Sequence, residues 1–75
     1  MNGKTVSGPQ KHSLTLRGHR TSVTLEAEFW AAFQRLAQKR QMSINALAAE
    51  MDAARGDIGL ASYMRVAILR DLLGG

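Results

Sequence analysis

"RTSVTLEAEFWAAF", Arg20 to Phe33, contains the change of periodicity on which the fold turns. As far as Leu25 the stretch alternates, with Val23 and Leu25 on one face and Arg20, Ser22 and Thr24 on the other, which is the period-2 pattern of a half-buried strand. After Glu26 the period becomes helical: Phe29, Phe33, Leu36 and Ala37 fall on one stripe, with Trp30 at its flank. A mainly α chain with a short N-terminal β element is therefore expected.

Working outward, the upstream segment "HSLTLR" alternates in the same way, with Leu14 and Leu16 opposed to Ser13, Thr15 and Arg17. If Gly18-His19 forms a two-residue turn, Leu14 lies across from Val23 and Thr15 across from Ser22. Residues 12–25 thus read as one strand or a hairpin. Residues 1–11, with Gly3, Gly8 and Pro9 among polar neighbours, have too little apolar surface to order themselves and read as a flexible basic arm. A single domain over 12–75 follows.

Downstream, the first helix spans 27–39, with Glu26 and Glu28 at its start and Lys39 and Arg40 at its end, as the helix dipole favours. Ser43 is a natural N-cap for a second helix over 44–54, and Met42 and Leu47 occupy the two positions of a hydrophobic staple. Ile44, Leu47, Ala48 and Met51 form its buried face, and Gly56 supplies the stop. A third helix over 60–73 carries Leu60, Met64, Ala67, Ile68 and Leu72 at helical spacing, with Arg65, Arg70 and Asp71 outside. No internal repeat is read along the chain.

At 75 residues the chain is one small domain whose own core is marginal, so folding with a partner is expected. It contains no cysteine, which excludes a disulfide framework and any thiolate metal site. His12 and His19 have no companions at ligand spacing, so no metal and no cofactor are expected. No apolar run reaches membrane-spanning length, and the N-terminus lacks a signal-peptide core, so a soluble cytoplasmic protein is the default. The net charge of +4 is unevenly placed: Lys4, Lys11, Arg17 and Arg20 all precede the first acidic residue, Glu26. That asymmetry suits a polyanionic partner.

The order of strand, acidic helix start, aromatic-aliphatic helix, short break and Ser-capped helix in "RTSVTLEAEFWAAFQRLAQKRQMSINALAAEM" resembles the ribbon-helix-helix DNA-binding family of the Arc and MetJ repressor type. More narrowly, it resembles a bacterial subset of short proteins with a helical C-terminal extension. The resemblance implies an intertwined homodimer with intermolecular antiparallel strands and a third C-terminal helix. It also implies a dimer core of Val23, Leu25, Phe29, Trp30, Phe33, Leu36, Ile44, Leu47 and Met51. A two-stranded ribbon fits the major groove of B-DNA. By the same resemblance Arg20, Ser22 and Thr24 contact bases, and the backbone at Ser43, Ile44 and Asn45 holds a phosphate. A helix N-terminus is a natural anion site. Lys39, Arg40, Lys11 and Arg17 are the cations expected at further phosphates.

Two features depart from the family pattern. Gln41 stands where the family often has Gly or Asn, and a left-handed backbone there would cost roughly 1–2 kcal/mol, so a differently shaped break is expected. "HSLTLR" supplies a second strand, and a dimer of two hairpins would carry a four-stranded sheet, too wide to enter the groove as a simple ribbon. Either the outer strand leaves the sheet on DNA, or the sheet does something else.

Three functions can be set against these features. The leading one is a homodimeric, sequence-specific transcriptional regulator bound to double-stranded DNA. The second is a protein-interaction module, an antitoxin or adaptor, that docks a partner on the apolar third helix. An enzyme is rejected, because no convergent polar constellation supplies catalytic residues. The competing reading of Arg20, Ser22 and Thr24 is a solvated sheet face, where Thr is common for its β-propensity.

Overall fold

The computed structural model describes residues 8–74. Its elements are β1 (Gln10–Leu16), β2 (His19–Leu25), α1 (Ala27–Lys39), α2 (Ile44–Ala54) and α3 (Leu60–Leu72). The fold is mainly helical with a two-stranded antiparallel sheet, β1 paired to β2 of the same chain.

The turn joining the strands is Arg17-Gly18, not Gly18-His19, and the register runs from Gln10 opposite Leu25 to Leu16 opposite His19. Both turn residues have positive φ, 51° for Arg17 and 82° for Gly18. Positive φ at both central positions is the requirement of a type I′ hairpin turn, whose backbone twist matches that of the strands. The pairing therefore differs by two residues from expectation: Val23 faces His12, and Leu14 faces Thr21. A two-residue shift preserves the faces, because side chains alternate with period 2. Strand β1 also begins earlier than expected, because Gln10 and Lys11 continue the ladder to the end of β2. Lys11 is thus a strand residue and not part of the arm; residues 1–7 of the proposed arm lie outside the described residues.

Alternation on a two-stranded sheet creates one dry and one wet face. Leu14, Leu16, Val23 and Leu25 are buried, and they meet Phe33, Leu36 and Ala37 of α1, Leu47, Ala48 and Met51 of α2, and Met64 and Ile68 of α3. Phe29, Trp30 and Ile44 pack half-buried at the margin of the same core. His12 joins the dry face, where its ring stacks on the Trp30 indole with centroids 4.1 Å apart and planes 5° apart.

Helix α1 ends in a left-handed residue after all. Gln41 has φ 57°, the Gln41 N–H donates to the Gln38 carbonyl at 3.0 Å, and the Met42 N–H donates to the Ala37 carbonyl at 2.9 Å. These two bonds define a Schellman cap, which satisfies carbonyls the helix would otherwise leave open and offsets the steric cost of left-handed glutamine. Met42 then packs against the core. Ser43 caps α2 as its sequence indicates, its Oγ accepting the Ala46 N–H at 3.0 Å. Gly56, with φ 60°, terminates that helix.

Because glycine removes the left-handed penalty at the α1–α2 break, Gln41→Gly is expected to stabilise the fold by about 1 kcal/mol. The urea midpoint should rise at unchanged slope. A fall in the midpoint would show that the break is not left-handed in solution.

Candidate nucleic-acid interface

The wet face of the hairpin is built entirely from hydrogen-bonding and basic side chains. Lys11, Ser13 and Thr15 of β1 and Arg20, Ser22 and Thr24 of β2 all point outward and are exposed. Cross-strand neighbours are Lys11 with Thr24, Ser13 with Ser22, and Thr15 with Arg20. Neither strand carries an acidic residue, so the positive potential of Lys11 and Arg20 is not cancelled within the face. Hydroxyls can donate or accept, and arginine or lysine can address guanine, so this face has the functional groups that major-groove readout requires.

The start of α2 lies at the outer edge of β1. Asn45 Oδ1 accepts the outward-pointing Thr15 N–H at 3.0 Å, which fixes the helix N-terminus beside the ribbon. The first N–H groups of a helix have no partner within it, so Ile44 and Asn45 present donors next to the basic face. The sequence suggested Asn45 only through its backbone; that its side chain ties α2 to β1 is a contact across 30 residues that no local pattern reveals. Arg17 leaves the turn and directs its guanidinium to the Ala49 carbonyl of α2 at 3.4 Å.

At the opposite edge of the hairpin, α3 braces β2. The Arg65 guanidinium donates to both carboxylate oxygens of Glu26, at 3.0 and 3.2 Å, and to the Thr24 carbonyl at 3.5 Å. It also sits 5.8 Å from the Phe29 ring centroid, within cation–π range. The sequence pattern puts Arg65 on the outside of its helix; it is instead half-buried and links α3 to the end of β2. A hydrogen bond from its own backbone and the bond from Arg65 hold the Glu26 carboxyl below its ordinary value.

Lys39 and Arg40 are not placed as free cations. Lys39 pairs with Asp71 at 3.1 Å and Arg40 with Glu50 at 3.4 Å, so α1 is linked to α3 and to α2. Such exposed pairs are weak, and the cations can still exchange partners. The residues expected in a dimer core, Val23, Leu25, Phe33, Leu36, Leu47 and Met51, are buried within this one chain. Among the described residues no cluster of His, Cys, Asp or Glu is arranged to hold a metal ion, and no helix is long and apolar enough to cross a membrane.

A family model, the ribbon-helix-helix domain, matches residues 9–72. The chain belongs to the ribbon-helix-helix domain family, the class of DNA-binding regulators, and the match takes in the hairpin and all three helices. No curated protein and no solved structure gives a significant match to it.

The lowered Glu26 value has a testable consequence. The ion pair contributes fully above the ordinary carboxylate value of 4.5 and is lost as pH falls through the lowered one. Acid unfolding of Glu26→Gln, followed by circular dichroism, should lack that component below 4.5 and parallel the wild type above it. An unchanged acid limb would mean that the pair does not form in solution.

Proposed function

We propose that the protein is a sequence-specific DNA-binding transcriptional regulator of bacterial type, acting as a homodimer in the cytoplasm. It lays the wet face of its ribbon in the major groove. The observation that carries this reading is the division of the hairpin into an inner face that buries Leu14, Leu16, Val23 and Leu25 and an outer face of Lys, Arg, Ser and Thr with no acid. A solvated face would serve equally well with acidic residues; a face turned to a polyanion would not. In this reading Arg20, Ser22 and Thr24 read base edges. The N–H groups at Ser43, Ile44 and Asn45 hold a phosphate, with Arg17, Lys39 and Arg40 supplying charge around them.

Base contacts and phosphate contacts respond differently to substitution. Arg20→Ala should cost about 1–3 kcal/mol on a selected site and relax preference at one base position. Arg17→Ala should weaken binding to all sequences alike and reduce the salt slope by about one for each phosphate contact removed. Selection from a random duplex pool, followed by titration at two salt concentrations, separates the two. Retention of full sequence preference by Arg20→Ala would remove Arg20 from the reading set.

A second reading concerns α3 and is favoured by one feature. Leu69 is 52%, Leu72 70% and Leu73 77% exposed, an unusual apolar row for a helix whose other face is fully packed. In this reading the row docks another protein, as an antitoxin or adaptor would. A Leu69→Ser/Leu72→Ser variant should then lose a stoichiometric partner recovered from the native cell while keeping its affinity for DNA. Equal recovery by both forms would count against docking there.

A further inference from the structure

The two strands carry one outward motif twice. Lys11-His12-Ser13-Leu14-Thr15-Leu16 and Arg20-Thr21-Ser22-Val23-Thr24-Leu25 share the order basic, any residue, Ser, aliphatic, Thr, Leu. The chain therefore does contain a short internal repeat, which becomes visible once the register pairs Ser13 with Ser22. Around that central pair the motif is arranged symmetrically: Lys11 opposes Thr24 on one side, and Arg20 opposes Thr15 on the other. The inner face obeys the same relation, with His12 opposite Val23 and Thr21 opposite Leu14. A local pseudo-twofold axis thus passes midway between Ser13 and Ser22, perpendicular to the sheet.

Each edge is also engaged by a helix of the same chain. Thr15 and Thr24 are equivalent positions of the repeat, and each has an outward backbone group held by a helix of its own chain. The Thr15 N–H is bound by Asn45, and the Thr24 carbonyl is approached by Arg65. One chain therefore assembles a two-stranded, pseudo-symmetric ribbon without a second copy. Strand spacing makes the same point from width. A sheet of four strands would be about 19 Å across at roughly 4.8 Å per strand, whereas the major groove is about 12 Å wide. Two strands are the width that enters.

We infer that the hairpin of a single chain is the complete groove-reading ribbon, and that Lys11, Ser13 and Thr15 read base edges as the counterparts of Arg20, Ser22 and Thr24. The inference rests on the reading that the wet face binds DNA. It replaces the phosphate role expected for Lys11. In a homodimer each chain then brings its own ribbon to its own half-site, and the shared intermolecular ribbon is not needed. The ligand is also more narrowly defined. Lys11 and Arg20 stand at opposite ends of the motif, separated by four strand positions or about 14 Å, which corresponds to about four base steps at 3.4 Å. Lysine and arginine both suit guanine O6 and N7. The half-site read by one chain is a short pseudo-palindrome with guanines on opposite strands near its two ends.

The test is selection from a random-sequence duplex pool with the full-length wild type, Arg20→Ala, Lys11→Ala and Lys11→Arg, with salt titrations on the enriched site. All substituted side chains are exposed, and circular dichroism verifies that each variant is folded. Lys11→Ala should lose about 5- to 150-fold of discrimination at one position, related by the pseudo-dyad to the position relaxed by Arg20→Ala. Lys11→Arg should retain it. If Lys11→Ala instead weakens every sequence equally and only lowers the salt slope, β1 lies on phosphates and the inference fails while the DNA-binding reading stands. If the wild type enriches no sequence and Arg20→Ala changes nothing, the underlying reading fails and the inference with it.

Discussion

The wet face exists because the Arg17-Gly18 turn closes the hairpin in one register. A two-residue turn with positive φ at both positions fixes which residue opposes which, and period-2 alternation then sorts every side chain to the dry or the wet side. A slip of β1 by one residue would turn Leu14 and Leu16 to solvent and bury Ser13 and Thr15. Burial of the four aliphatic side chains resists that slip, so the hydrophobic core and the chemistry of the outer face are two consequences of one register.

The helices serve that register from both sides. Helix α2 reaches β1 through Asn45 and helix α3 reaches β2 through Arg65, so each edge of a ribbon that would be marginal alone has a bonded neighbour. Helix α3 also closes the core, with Met64 and Ile68 set against α1 and α2. In a chain this small that layer contributes much of the apolar burial available. The Glu26–Arg65 pair sits where strand, first helix and third helix meet, and it couples the end of β2 to the element furthest from it in sequence.

The parts of this organisation governed by local periodicity were legible in the sequence. The alternation of Val23 and Leu25 with Ser22 and Thr24, the aromatic-aliphatic stripe from Phe29 to Ala37, the Ser43 cap and the Gly56 stop each act through neighbours a few residues away. The turn is harder to place, because glycine suits the first central position of a type II′ turn as well as the second of a type I′ turn, and only the strand register separates the two. Gln41 poses a related difficulty: its intrinsic penalty is visible in the sequence, but the two Schellman bonds that offset it are not. The Asn45–Thr15 and Arg65–Glu26 contacts join distant segments and have no local signature. The repeat of Ser-aliphatic-Thr-Leu was in plain view, yet it acquires meaning only when Ser13 and Ser22 are placed side by side.

The most direct measurement of whether the wet face is the binding surface is an amide chemical-shift titration of the isotope-labelled protein with a mixed-sequence duplex at low salt. Perturbations should concentrate on residues 11–24 and the start of α2, and the exposed face of α3 around Leu69 and Leu72 should remain still. Shifts centred on α3 with a silent hairpin would contradict the assignment of the ribbon to DNA and place the interaction surface on α3 instead.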